Sequence, residues 1–208
     1  MASASVTKPP VLELSAASCR FDALTALRPV SLRVDQGTTC LLHGANGSGK
    51  TTLLRVCAGL LAPSSGERRA TGRCLYLRPG SGTRRRQTVR EVLATVAVLS
   101  GRGKRPVAEC LEAAGLVTLA GRRVETLSSG QRGRLLVGMA LAARPAVACL
   151  DEPTAHLDTD GSALVRAGMR RLAAAGTAVL VATHDHDLLG DDPDARLVLH
   201  DGTVTEAA

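Results

Sequence analysis

The stretch "GANGSGKT", residues 44–51, constrains this chain more than any other. An apolar run, "TTCLLHG", leads into it, and "KTTLLRVCAGLL" continues from it in a helical pattern. A glycine-rich turn between a strand and a helix is the setting of a phosphate-binding loop. Its glycines, Gly44, Gly47 and Gly49, let backbone N–H groups curl around a β-phosphate, with Ala45, Asn46 and Ser48 between them. Lys50 then reaches the β/γ oxygens, and the Thr51 hydroxyl takes a position on Mg²⁺. The stretch predicts binding of a nucleoside triphosphate. It says nothing of how the energy is used.

The rest of the chain fits an α/β frame. Short strand patterns, "VLELSAASCRF" and "SLRV", precede the loop, and "CLYL" (74–77) follows it. From 127 onward a helix over 129–142, the strand "AVACLD", a helix over 160–174 and the strands "TAVLVATH" and "RLVLHDG" alternate. Such alternation predicts a parallel sheet covered on both faces. Residues 88–126 hold helical patterns with no strand between them and read as an inserted all-helical subdomain. The expected division is a disordered lead (1–10), a nucleotide-binding core with an N-terminal β subdomain (11–87 and 127–208), and the helical insertion (88–126).

Composition narrows the function. Phe21 and Tyr76 are the only aromatic residues, so no platform exists for stacking single-stranded bases. The net charge of +7 is carried almost wholly by arginine, since Lys8, Lys50 and Lys104 are the only lysines. That balance suits nucleic acid, an anionic membrane surface or simply a solvated face; the tightest cluster is "TRRRQ" at 83–87. Six scattered cysteines without a C-x-x-C pair fit buried thiols in a reducing cytoplasm. The N-terminus has no signal-peptide core, and no apolar run reaches membrane-spanning length. A soluble chain is expected, with any membrane spans supplied by another.

Two further strand ends carry chemistry. "AVACLDEP" closes on adjacent acids: Asp151, placed to hold Mg²⁺, and Glu152, placed as general base for an attacking water. "VATHDHD" closes on His184. If its strand neighbours that of Glu152, His184 shares the carboxyl edge of the sheet, where α/β proteins bind ligands; standing alone it would be a bystander. Asp185, His186 and Asp187 read as a solvated turn rather than a metal cluster.

A second phosphate-type helix start, "LSSGQ" (127–131), lies 77 positions beyond Lys50. The chain already has one loop for its own nucleotide, so this start can serve only a phosphate held by another copy. The arrangement resembles the ATP-binding cassette (ABC) ATPases, whose LSGGQ signature completes a partner's site in a head-to-tail dimer. Five motifs stand in the family's order: 44–51, 127–131, 147–152, "AHLD" at 155–158 and His184. The resemblance covers roughly 11–202 and implies a P-loop NTPase fold of ABC type, with a mixed sheet, an antiparallel β subdomain and a helical insertion. It implies ATP and Mg²⁺ bound by 44–51 and Thr52, with Thr51 and Asp151 on the metal. Lys50, Glu152 and His184 become the catalytic set. Ser128, Ser129, Gly130, Gln131 and Asp158 address ATP across the dimer. Phe21 stands where the family stacks an aromatic on adenine, though a plain core role fits it too.

Two positions depart from the pattern. Ser129 replaces the first glycine of the signature's pair. Arg78, Pro79 and Gly80 stand where the family has a glutamine that touches Mg²⁺ and links ATP state to the membrane partner; Gln87 comes late for that, and Arg78 is a possible phosphate contact instead. The implied function is the ATPase subunit of a transporter, a short cassette similar to those of small exporters and haem-export systems. It would work as a dimer at the inner face of the membrane, on a separate integral-membrane subunit docked over 78–126. The alternative is a soluble ABC ATPase acting on nucleic acid or ribosomes. The 77-residue spacing leaves no room for the coiled coil of chromosome-maintenance types.

Overall fold

Alternating apolar and polar residues at the start of the chain build an antiparallel sheet. In the computed structural model, which describes residues 9–103, 107–154, 157, 159–184 and 193–206, β1 (Pro10–Phe21) and β2 (Leu24–Asp35) form a hairpin. After β3 (Thr39–His43) and α1 (Lys50–Ala58), β4 (Ser65–Ala70) returns to the other edge of β1. The expected lead falls mostly outside the described residues, and Pro10 already belongs to β1.

The main sheet adds β5 (Cys74–Leu77), β6 (Val147–Asp151), β7 (Ala178–Ala182), β8 (Ala195–His200) and β9 (Thr203–Glu206). Its order is β5-β6-β7-β3-β8-β9, parallel except for the β8–β9 hairpin. β3, β6 and β7 are buried along their whole length, as strands covered on both faces must be. Successive side chains point to opposite faces, and this splits the interior into two cores. Leu41, Ala148, Leu150, Val179 and Val181 face one, while Leu42, Val147, Cys149, Leu180 and Ala182 face the other.

The first core is closed by helices. α2 (Val89–Leu99) and α3 (Val107–Ala113) are followed by single 3₁₀ turns at Val117–Leu119 and Val124–Thr126. α4 (Ser129–Ala143) and α5 (Thr159–Ala174) complete the layer. α2 starts at a reciprocal cap between Thr88 and Glu91 and buries Val89, Val92, Leu93 and Ala97. The second core is closed by α1 and the antiparallel sheet. α1 stops at Ala58 because Arg68 of β4 donates to the Cys57 carbonyl from Nε (3.0 Å) and Nη2 (2.7 Å) while Gly59 turns left-handed. Each fully buried leucine contributes about 1.5–3 kcal/mol, and leucine, valine and alanine take the places aromatics fill elsewhere. Burial also pushes the Cys57 and Cys149 thiols up, away from the reactive thiolate.

Candidate active site

Strand order decides the site. β6 pairs in parallel with β7, Asp151 opposite Ala182, so Glu152 and His184 leave the sheet side by side at its carboxyl edge. Glu152 takes a left-handed backbone (φ 52°), and its N–H donates to the Ala182 carbonyl at 2.8 Å. Such a backbone costs about 1–3 kcal/mol in a residue with a Cβ. It aims the carboxylate at His184: Nε2 stands 3.1 Å from Oε1, and the His184 N–H donates to Oε2 at 3.4 Å. Burial raises the Glu152 carboxyl above its ordinary range and outweighs the opposing pull of His184 and Lys50.

Asp151, one residue earlier, turns the other way. It is buried, and its Oδ2 accepts from Thr51 Oγ1 (2.8 Å) and from the Tyr76 hydroxyl (2.7 Å). Tyr76 stands opposite Cys149 in the β5–β6 register, so Asp151 is its diagonal neighbour on one face. Burial, then the Asp151 carboxylate, pushes the Tyr76 phenol up. The Lys50 ammonium is buried and donates to the carbonyls of Gly44 (2.6 Å) and Ala45 (3.1 Å), folded over its own loop.

These groups border a cleft of about 870 Å³. Of the residues expected to hold nucleotide, Phe21, Asn46, Gly47, Gly49, Lys50, Thr51 and Thr52 line it, with Asp151, Glu152 and His184. Phe21 is 47 % exposed at the cleft, which rules out the core alternative. Gly44 and Ala45 border an adjoining cavity, and Ser48 is buried within the loop. Sequence reasoning missed Leu24, Thr25, Ala26, Arg28, Asp201 and Gly202, which form the opposite wall. The Asp201–Gly202 turn of the β8–β9 hairpin is tied there by Arg28 N–H to the Gly202 carbonyl (2.8 Å) and Gly202 N–H to the Ser48 carbonyl (3.0 Å). The Asp-Gly pair is a turn signal that the reading of "RLVLHDG" as one strand passed over, and nothing local shows where the turn docks.

Arg78 does not line the cleft; it borders a small cavity with Ser81 and Met139. Gln87 is no substitute for the absent glutamine either, since its side-chain oxygen accepts from Arg84 N–H at 3.1 Å. The signature stretch also stands apart from its own cleft. Ser128 caps α4, accepting from Gln131 N–H at 3.1 Å, and Gln131 Oε1 accepts from Ser128 N–H at 3.0 Å. α4 is nonetheless locked to the acidic turn, because a Cβ on Gly133 would stand 2.2 Å from the Pro153 carbonyl oxygen. Asp158, Asp185, His186 and Asp187 lie outside the described residues.

A strand–loop–helix whose threonine bonds a buried aspartate and whose lysine lies over the loop, beside a glutamate–histidine pair, is what a nucleotide-hydrolysing site requires. Residues 27–155 match the family model described as ABC transporter. The chain belongs to the ABC transporter family. An ABC transporter ATP-binding protein of Streptomyces coelicolor is 37 % identical over 206 residues, 88 % of this chain and 71 % of that protein. The cytochrome c biogenesis ATP-binding export protein of Cereibacter sphaeroides is 37 % identical over 168 residues, 80 % of this chain and 79 % of that one. Among solved structures, an ATP-binding subunit of an ABC transporter superposes with a TM-score of 0.83 at 23 % identity, covering 95 % of this chain and 90 % of that one. A dimeric cassette in a post-hydrolysis state with ADP and Pi gives 0.82 at 22 %, covering 94 % and 98 %. The chain is an ATP-binding cassette with ATPase activity, built on the expected α/β fold with its mixed sheet and antiparallel β layer. Thr51 and Asp151 give the cassette an oxygen-only donor pair, which suits a hard cation such as Mg²⁺.

Proposed function

We propose that two copies of this ABC ATP-binding subunit close head to tail around two Mg-ATP molecules and drive a separate integral-membrane subunit from its cytoplasmic side. One observation carries the reading. The phosphate loop and the Glu152–His184 pair share a cleft that Ser128, Ser129, Gly130 and Gln131 of the same chain do not line. A second copy supplies the signature residues, with Asp158 beside them, across the interface.

In this reading Phe21 stacks on the base, and residues 44–52 wrap the phosphates. Lys50 exchanges its loop carbonyls for phosphate oxygens. Thr51 and Asp151 hold Mg²⁺, which would neutralise the phosphate charge. Glu152 orients and deprotonates the attacking water, an effect worth about 10²–10⁴ in rate. His184 keeps the Glu152 carboxylate aimed at the cleft. No described helix is long and apolar enough to cross a membrane. In this reading the membrane subunit docks over the helical segment 88–126 and the 78–87 turn before it. Nothing among the described residues favours the nucleic-acid alternative.

Glu152→Gln tests the dimer. It should keep ATP binding, lose turnover, and accumulate as an ATP-dependent dimer by light scattering. A variant that stays monomeric in saturating Mg-ATP would sink the sandwich. Mass spectrometry of what co-purifies with the same variant from gently solubilised cells tests the partner. Ribosomes or DNA proteins recovered without any polytopic membrane protein would overturn the transport reading.

A further inference from the structure

The chain that leaves β5 sends no glutamine to the metal pair. Arg78 and Ser81 close a tight turn, with Ser81 Oγ donating to the Arg78 carbonyl at 2.8 Å and accepting from Arg78 N–H at 3.0 Å. What does reach the buried acid comes from within β5: the Tyr76 hydroxyl, 2.7 Å from Asp151 Oδ2. Thr51 Oγ1 donates to that same oxygen from α1, so two hydroxyls from separate elements converge on it. Two bonds from different directions hold that oxygen in place more tightly than either would alone. A hydroxyl that donates its proton keeps lone pairs, so Thr51 can bond Asp151 and still face a cation. Tyr76 is itself held, its ring lying under the Arg55 guanidinium with the carbon 5.8 Å from the centroid.

We propose that Tyr76 is a positioning residue for the metal-bearing nucleotide, its phenol holding the Asp151 carboxylate in the orientation the cation requires. It supplies from within β5 a polar contact to the metal pair that the missing glutamine does not. The proposal rests on the reading of Thr51 and Asp151 as the groups that hold Mg²⁺. A positioning role leaves the affinity for metal-free ATP alone and lowers only what the metal adds. A packing role would lower both together.

The experiment measures the affinity of the full chain and of Tyr76→Phe for a ribose-labelled fluorescent ATP, once in Mg²⁺ and once in EDTA. Tyr76→Phe should match the parent within about twofold in EDTA and bind about tenfold more weakly in Mg²⁺, the order expected for one hydrogen bond to a charged group. Equal losses in both conditions, or unchanged or tighter binding in Mg²⁺, would overturn the proposal. A parent chain whose affinity ignores Mg²⁺ would instead sink the reading of Thr51 and Asp151 beneath it, and Thr51→Ala, which should abolish the Mg²⁺ gain, separates the two failures. A second measurement needs no variant. Tyr76 is the only tyrosine and there is no tryptophan, so the protein's emission reports this one phenol. A phenol bonded to a carboxylate is quenched by excited-state proton transfer. Its lifetime should lengthen when Mg²⁺ and a non-hydrolysable ATP analogue bind together and stay constant with the analogue in EDTA. A lifetime indifferent to both would overturn the proposal.

Discussion

The two helix starts that meet phosphate in this reading are finished in opposite ways. α1 begins at Gly49, which is left-handed (φ 109°) and offers no side chain to cap the helix. α4 begins at Ser128, whose hydroxyl and the Gln131 side chain satisfy each other's backbone N–H groups in a closed box. An uncapped start leaves N–H groups and the positive dipole end to a ligand, while a boxed start is stable alone and must open part of its cap to receive one. The first suits a nucleotide the chain holds itself, the second one that arrives with a partner.

The largest effects should fall on the first start. Lys50→Ala removes the ammonium that lines the cleft and should weaken ATP binding about tenfold to a hundredfold, the scale of hydrogen bonds to charged groups. Equilibrium binding of labelled ATP measures it, and unchanged affinity would break the assignment of the loop. Gly133→Ala tests whether the helix that begins at Ser128 is mechanically joined to the acidic turn. Alanine gains roughly 0.5–1 kcal/mol in helix propensity, but the new Cβ meets the Pro153 carbonyl oxygen, immediately after Glu152. Backbone does not yield cheaply, and overpacking costs about 1–3 kcal/mol. The clash should win, giving a lower denaturant midpoint and slower ATPase together. A more stable, fully active variant would show the contact to be slack.

Ser128 separates capping from contact with the partner's phosphate. Ser128→Ala should cost about 1 kcal/mol of stability, as lost N-caps do. Ser128→Asp keeps a good cap, so its unfolding midpoint should stay near that of the parent. Its negative charge faces the incoming phosphate, so the ATP-dependent dimer should be lost. Retained dimer with Asp at 128 would mean that this start is structural only.

What the sequence disclosed followed the same divide between local and distant. The loop, the two acids and His184 were legible because each closes a strong apolar run, and parallel sheets bring such ends to one edge. β4 was invisible: "SGERRA" is a charged edge strand, defined only by its pairing with β1. The start of β2 was hidden by Pro29, which an edge strand tolerates. "RLVLHDG" read as one final strand, whereas Asp201–Gly202 turns the chain back into β9. The far wall of the cleft comes from two of these misread pieces, the start of β2 and the Asp201–Gly202 turn. Tyr76 escaped notice for a related reason. Its strand was plain, but its partnership with Asp151 depends on β5 lying next to β6, and strand order is a long-range property.

The smallest effect concerns Glu152 between the two starts, and its sign follows from linkage. Its carboxyl is raised in the folded chain by burial, so the native state holds that proton more tightly than the unfolded one. Native protein then binds more protons between the ordinary carboxylate pKa and the raised one. Stability therefore falls as pH rises through that window and stays lowered above it. Glutamine does not ionise and escapes the loss. Glu152→Gln should melt slightly higher than the parent at neutral pH, with the difference shrinking once both are taken below the carboxylate range. The gain is small because the side chain keeps 29 % of its exposure and His184 partly offsets the burial. Melting curves of the two proteins across pH 4 to 8 decide it. A parent more stable than Glu152→Gln at neutral pH would mean that the His184 contact outweighs burial. The acidic turn would then be a stabilising element of the free cassette, whereas the left-handed backbone at Glu152 marks it as one held under strain for use when the dimer closes.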